Sequence, residues 1–320
     1  MKNQSAICRL IPKLRLILSL LICYATLQAL GQPLVQGQPQ VQAQLQAQPQ
    51  QPQLQAQPPQ PQPQPQQQPP QPQPQPQLAA AIPYRTSDDA YTQEMCTLDI
   101  SYTEASRKEA VIVWFHGGGL TGGKKELPQA LIGKGYVVVG VGYRLCPQVR
   151  VPDCIDDAAA AVAWVWQHIA DYGGDPTKIV LAGHSAGGYL VSMIGLDKHW
   201  LASYGVNANE MAAVAPYSGQ AISHFQYRNE NGISNPLQPT IDAYAPLYHV
   251  RADAPPLLIL SGDREMELYG RYEENAYFVR MLRLVGHQDV TFYEVDGFDH
   301  GGMAAPGHLL LLKYMANRFK

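Results

Sequence analysis

Between residues 96 and 295, short apolar runs rich in β-branched residues alternate with longer stretches whose apolar positions recur every three or four residues. The short runs, 96–102, 111–115, 136–143, 178–182, 213–217, 257–261 and 290–295, read as strands. Several are apolar at nearly every position, the pattern of strands covered on both faces rather than one. Helical spacing predicts helices over 154–172, 185–196, 271–284 and 309–319. Asp153 can accept N–H bonds where the first of these begins, and Asp156 and Asp157 suit its first turn, so these aspartates read as caps. Strands alternating with helices predict an α/β fold: a mostly parallel central sheet of about eight strands with helices on both faces.

The pattern stops short of the first 83 residues. Lys2, Arg9, Lys13 and Arg15 precede the apolar run Leu16-Ile17-Leu18-Ser19-Leu20-Leu21-Ile22, and small residues follow at Ala29 and Gly31. That order over residues 1–31 reads as an export signal. Left uncut, it would tether the protein to a membrane or cell envelope, although the run is shorter than the ~20 residues of a full span. From Gln32 to Gln77 the chain is almost wholly Gln and Pro, without charge or apolar periodicity. Such a stretch cannot bury enough surface to offset its ordering entropy, so 32–83 reads as a disordered linker, whose 32–77 stretch would extend over on the order of 140 Å at ~3.1 Å per residue. Residues 84–320 then form one globular domain with enough chain for a sizeable core.

The net charge of −3 brings no basic stripe, which excludes nucleic acid as an expected partner. The globular part holds Cys96, Cys146 and Cys154. Cys146 and Cys154, eight apart, could pair in an oxidising compartment, or all three could be buried thiols. No His-Glu-x-x-His or Cys-x-x-Cys spacing occurs, so no metal and no cofactor is expected.

The candidate chemistry sits at strand ends. Ile179-Val180-Leu181-Ala182 leads into Gly183-His184-Ser185-Ala186-Gly187, a lone serine between glycines where a strand gives way to a helix. Such a turn holds the serine in strained backbone with its hydroxyl exposed at the strand tip. Upstream, Val111-Ile112-Val113-Trp114-Phe115 runs into His116-Gly117-Gly118-Gly119, whose N–H groups can face an oxyanion unobstructed. His116 reads as a brace for that loop. A serine hydroxyl needs a base, and the base needs an acid. Downstream, the strand 257–261 opens into Gly262-Asp263-Arg264-Glu265-Met266-Glu267. The strand 290–295 opens into Asp296-Gly297-Phe298-Asp299-His300. The order serine, acid, histidine is thereby satisfied.

With these motifs, and with Tyr143-Arg144-Leu145 and Tyr172-Gly173-Gly174-Asp175-Pro176, the chain resembles the α/β-hydrolases over residues 84–320. More narrowly, it is similar to the esterases and lipases related to hormone-sensitive lipase, the feruloyl esterase-like carbohydrate esterases and the kynurenine formamidases. The resemblance implies Ser185 as nucleophile, His300 as general base, and the N–H groups of Gly118, Gly119 and Ala186 as the oxyanion hole. It places the acid three residues beyond Gly262, at Glu265, with Asp263 as the rival.

The expected protein is an exported serine carboxylesterase acting on short-acyl or carbohydrate esters, free or polysaccharide-borne. The segment 218–250, with Gln220, His224, Phe225, Tyr227 and Tyr244, is expected to choose the substrate. An amide-bond hydrolase, formamidase-like or peptidase, is the second reading, and an inactive hydrolase-like binding module the third.

Overall fold

The computed structural model describes residues 75–103, 108–235 and 237–320. The expected signal over 1–31 and most of the expected linker lie outside the described residues. Eight strands form one sheet in the order β1-β2-β4-β3-β5-β6-β7-β8. They are β1 (Gln77–Pro83), β2 (Thr97–Tyr102), β3 (Glu109–Phe115), β4 (Val137–Val141), β5 (Gly174–His184), β6 (Ala213–Tyr217), β7 (Leu257–Gly262) and β8 (Val290–Val295). The pairs β1/β2 and β2/β4 are antiparallel, and every other pair is parallel.

Strand β1 corrects the linker boundary. Seven residues assigned to the linker, Gln-Leu-Ala-Ala-Ala-Ile-Pro, pair with β2 at the sheet edge. Short apolar side chains suffice there because the strand is largely exposed, and its bulge at Ala81 is pinned by the Ala81 N–H on Asp99 Oδ1 (2.8 Å). Pro83, which donates no ladder bond, is tolerated at an edge.

Strand β3 shows how the apolar pattern builds the layers. Successive side chains point to opposite faces. Val111, Val113 and Phe115 therefore join one core with Leu181 of β5 and with helices α2 (Val151–His168) and α3 (Ala186–Leu196). Ile112 and Trp114 join the other, with Val180, Tyr217, Leu258 and Leu260, under the C-terminal helix α7 (Ala304–Arg318). Leu257 and Ile259 of β7 pack separately on Phe278, Val279 and Leu282 of α6 (Arg271–Leu284). Each such side chain, removed from water, contributes roughly 1.5–3 kcal/mol. Three shorter α-helices are described besides these: α1 (Ala90–Met95), α4 (Lys198–Ala202) and α5 (Phe225–Glu230).

Helix α2 starts three residues earlier than its spacing predicts, and only one of its aspartates caps it. Asp153 accepts the Arg150 N–H (2.9 Å). Asp157 is fully buried and serves as counter-ion: Arg144 approaches through Nε (2.8 Å) and Nη2 (2.7 Å), and Arg85 through Nε (2.7 Å). Asp156 pairs with Arg85 and accepts from Tyr204 Oη (2.8 Å). Cys146 and Cys154 stand as buried thiols with their sulfurs 3.8 Å apart.

The parallel register sets the position of the site. Phe115 pairs with Gly183, His184 with Tyr217, and Gly262 with Val295. The residues just past β3, β5, β6, β7 and β8 thus emerge along one edge of the sheet, the carboxyl edge at which open α/β sheets bind ligands.

Replacing Asp157 with Asn should destabilise the domain by about 3 kcal/mol, the low end of the range for breaking a buried ion pair, because both guanidiniums retain some access to water. Urea unfolding checks this; an unchanged midpoint would contradict it.

Candidate active site

At the tip of β5 the chain turns into α3 through Ser185, which holds φ 54° and ψ −113°, a backbone conformation rare for any residue with a Cβ. The surrounding contacts impose it. A Cβ at Gly187 would lie 2.0 Å from the Phe115 carbonyl oxygen, and one at Gly183 would lie 2.6 Å from the Gly187 carbonyl carbon. The Ser185 N–H donates to the Tyr217 carbonyl (2.8 Å), tying the turn to β6.

The glycine run after β3 lies against this turn. A Cβ at Gly117 would meet Ser185 Cβ at 3.3 Å, which places the loop directly beside the serine. Gly118 and Gly119 have φ of 119° and 65°, so their peptides rotate as few other residues permit. The loop is closed by Gly122 N–H on Gly118 O (3.0 Å). It is braced by His116, which stacks on Tyr143 at 4.3 Å between centroids and donates from Nδ1 to Gly117 O (2.7 Å). Ala186 is the first residue of α3, so its N–H is one of those with no acceptor inside the helix. The residues whose N–H groups are expected to hold an oxyanion therefore lie on two segments next to Ser185: Ala186 directly after it, and Gly118 and Gly119 in the loop whose Gly117 packs against it.

His300 arrives from the loop after β8. Its Nε2 lies 2.8 Å from Ser185 Oγ, and its Nδ1 lies 2.6 Å from Oε1 of Glu267. The structure thus brings together Ser185 and His300 as expected. It seats Glu267, rather than Glu265 or Asp263, against the imidazole. The reason is local. Asp263 accepts the Glu265 N–H on Oδ1 (2.9 Å), and the Glu267 N–H returns to the Asp263 carbonyl (2.8 Å), so the chain coils through one turn before it reaches the histidine. Glu265 is left on the exposed side of that turn. Asp263 clasps the neighbouring loop, its Oδ2 accepting the Gly297 N–H (2.8 Å). An aspartate directly after a strand, with a second acid four residues on, is the signal that spacing from Gly262 alone overlooks.

Glu267 is almost wholly buried. Burial by itself would push its carboxyl up, but hydrogen bonds from His300, from Ser218 and from the Leu268 N–H (3.0 Å) outweigh it and hold the group at about 2. A charged carboxylate only accepts, so the proton at this contact belongs to Nδ1, and Nε2 is left to accept from the Ser185 hydroxyl. His184, the middle residue of the elbow, points its Nε2 at the His300 carbonyl oxygen (2.7 Å). Burial and the nearby His300 imidazole hold its own pKa below the usual histidine range, so it donates this bond as a neutral ring.

The segment 218–250 divides by burial. Gln220 and His224 are buried, with Gln220 accepting the Phe225 N–H (3.0 Å). Tyr227 stacks on Tyr244, whose carbonyl accepts from Tyr189 Oη (2.8 Å). Phe225 alone of the five is seen against the glycine run: a Cβ at Gly119 would sit 3.1 Å from its ring. Among the described residues, no group of three or more His, Cys, Asp or Glu side chains is placed to hold a metal ion.

The comparisons with known proteins bear on the family and the fold. Residues 98–268, more than half of the chain, match the BD-FAE family model. LipM of Mycobacterium tuberculosis is 29% identical over 251 residues, 66% of this chain and 58% of its own length. The esterase LipC of the same organism is 30% identical over 208 residues, 59% of this chain and 50% of its own. The chain thus spans about half the length of these curated relatives. Among solved structures, Thermogutta terrifontis esterase 2 phosphoramylated by tabun superposes with a TM-score of 0.60 at 23% identity, covering 78% of this chain and 96% of that one. A truncated form of a carbohydrate esterase from gut microbiota gives 0.61 at 17% identity, covering 76% and 96%. At these identities the likeness shows the fold.

Because Glu267 titrates below its ordinary value of 4.5, the stability it confers is complete above that pH and is lost as pH falls through about 2. Urea unfolding of wild type and Glu267→Gln at pH 7, 4.5 and 3 should therefore show a difference that narrows with acidification; a constant difference would refute the assignment.

Proposed function

The chain belongs to the BD-FAE family of α/β-hydrolases, and from that premise we propose that it is a serine carboxylesterase whose triad is Ser185, His300 and Glu267. The observation that carries the reading is the unbroken line from Ser185 Oγ to His300 Nε2 and from Nδ1 to Glu267, at 2.8 and 2.6 Å. Proton transfer from the serine needs this contact, and the imidazolium that results needs the carboxylate behind it.

The reaction has two halves. As Ser185 Oγ attacks the ester carbonyl, His300 Nε2 takes its proton, and the oxyanion is held by the N–H groups of Gly118, Gly119 and Ala186. His300 returns the proton to the leaving alcohol, and an acyl-enzyme remains. Water then attacks by the same route, with His300 again as base, and frees the acid. Each oxyanion donor is worth ~2.7–4 kcal/mol of barrier.

The substrate is a short-acyl ester or an acylated sugar, small or polysaccharide-borne. Phe225 supports a small acyl group, since its ring lies against Gly119 in the loop expected to hold the oxyanion. The name of the gut carbohydrate esterase among the structural neighbours is consistent with a sugar-borne ester. The basic and apolar order of residues 1–31, followed by the Pro/Gln tract, supports an exported domain on an extended tether, with the catalytic domain beginning at β1.

Turnover of acetyl, butyryl, feruloyl and long-chain esters, beside a formylated amide, tests the substrate class; preference for the long chain or for the amide would overturn it. Ser185→Ala should fold normally, lose labelling by a fluorophosphonate and fall to background turnover. Glu267→Gln should lower kcat by roughly 10³–10⁴-fold, the scale for losing a triad acid, while Glu265→Gln stays near wild type. The reverse pattern for the two glutamates would return the acid to Glu265.

A further inference from the structure

Ser218 is the first residue past β6, and no step of the proposed reaction uses it. It is fully buried and holds a left-handed φ of 48°. Glycine would adopt that backbone freely, whereas a residue with a Cβ resists it. Both of its backbone groups are fastened. The N–H donates to the Leu260 carbonyl (2.7 Å), and the carbonyl accepts from Arg271 Nη1.

Its hydroxyl donates to Oε2 of Glu267 and lies 3.0 Å from His300 Nδ1. The Gly262 N–H also donates to Oε2 (3.0 Å), while His300 Nδ1 (2.6 Å) and the Leu268 N–H (3.0 Å) supply Oε1. A carboxylate offers about four lone-pair sites, so all those of Glu267 are met. Two of the donors are backbone N–H groups, and one is the imidazole that Glu267 itself must orient. Ser218 is the remaining side chain that fixes the carboxylate from outside.

Helix α6 is built to hold this corner. Arg271, Glu274 and Asn275, spaced i, i+3 and i+4, share one face of the helix. Besides the Arg271 bond to Ser218, Asn275 Nδ2 donates to the Gly219 carbonyl (3.0 Å) and Glu274 Oε2 accepts the Ala221 N–H (3.1 Å). Three polar side chains thereby satisfy the Ser218 and Gly219 carbonyls and the Ala221 N–H of the β6 exit, where an apolar helix face would leave them unpaired.

We infer that Ser218 is a positioning residue of the triad: its hydroxyl locks the Glu267 carboxylate in the orientation that meets His300 Nδ1, and α6 holds the strained backbone that aims it. The inference rests on the Ser185–His300–Glu267 reading. It explains why a serine occupies a position that glycine would fill without strain.

The test compares Ser218→Ala, which keeps the unfavourable backbone and deletes the hydroxyl, with Ser218→Gly, which deletes the hydroxyl and relieves the backbone. Both should lower kcat about tenfold to a hundredfold on a short-acyl ester, the scale of one hydrogen bond to a charged group, with KM within about twofold. Thermal unfolding should show the Gly variant more stable than the Ala variant, with activity not following stability. If the Ala variant fails to fold, the Gly variant carries the test. Wild-type kcat in either folded variant, or activity that returns with stability in the Gly variant, would overturn the inference. Fluorophosphonate labelling separates the two levels: an unlabelled wild-type protein overturns both, while labelled wild type with unimpaired Ser218 variants overturns this one alone.

Discussion

The site depends on how closely the turn after β5 can press against the end of β3. Gly187 sits where a single methyl group would reach 2.0 Å from the Phe115 carbonyl oxygen, a separation no real atom pair could hold. That contact lets the strand become a helix within one residue and leaves Ser185 at φ 54° with its side chain projecting from the edge of the sheet. The same closeness sets the glycine run beside the serine, so the hydroxyl and the N–H groups that would stabilise its product share one packing constraint. The apolar strands beneath provide the rigidity: Val111, Val113 and Phe115 on one face and Ile112 and Trp114 on the other leave β3 no room to yield.

Much of this was legible in the sequence because the features that matter lie at the ends of unmistakable strands. Ser185 and His300 each follow an apolar run, and parallel pairing carries such positions to one edge whatever the connecting loops do. The glycine run was legible for the same reason. Glu267 was not, because its place depends on the hydrogen bonds of a single turn: Asp263 bonds two residues ahead, the backbone coils, and the fifth residue past Gly262 arrives where extended spacing puts the third. Strand β1 was hidden by its surroundings. Seven residues after a Pro/Gln tract, three of them alanine, carry no periodicity of their own and are ordered by the β2 edge they add to. Asp157 was misjudged as a cap because a sequence does not say which arginines, thirteen and seventy-two residues upstream, will fold over it.

The acidic residues near the carboxyl edge show how environment separates roles among chemically similar groups. Asp263 faces backbone N–H groups at the surface and joins two loops. Glu265 faces solvent. Glu267 is enclosed, yet so fully supplied with donors that it remains charged well into acid. The difference lies in the number and direction of N–H and O–H groups each one meets, and those are fixed by the exits of β6, β7 and β8.

The bond between His184 and the backbone of His300 gives the elbow a second function. Because the residue preceding the nucleophile holds the backbone of the loop that bears the base, the gap the proton must cross is bracketed by a direct tie between its two sides. Two segments more than a hundred residues apart in the chain are thereby joined at the one place where their separation matters.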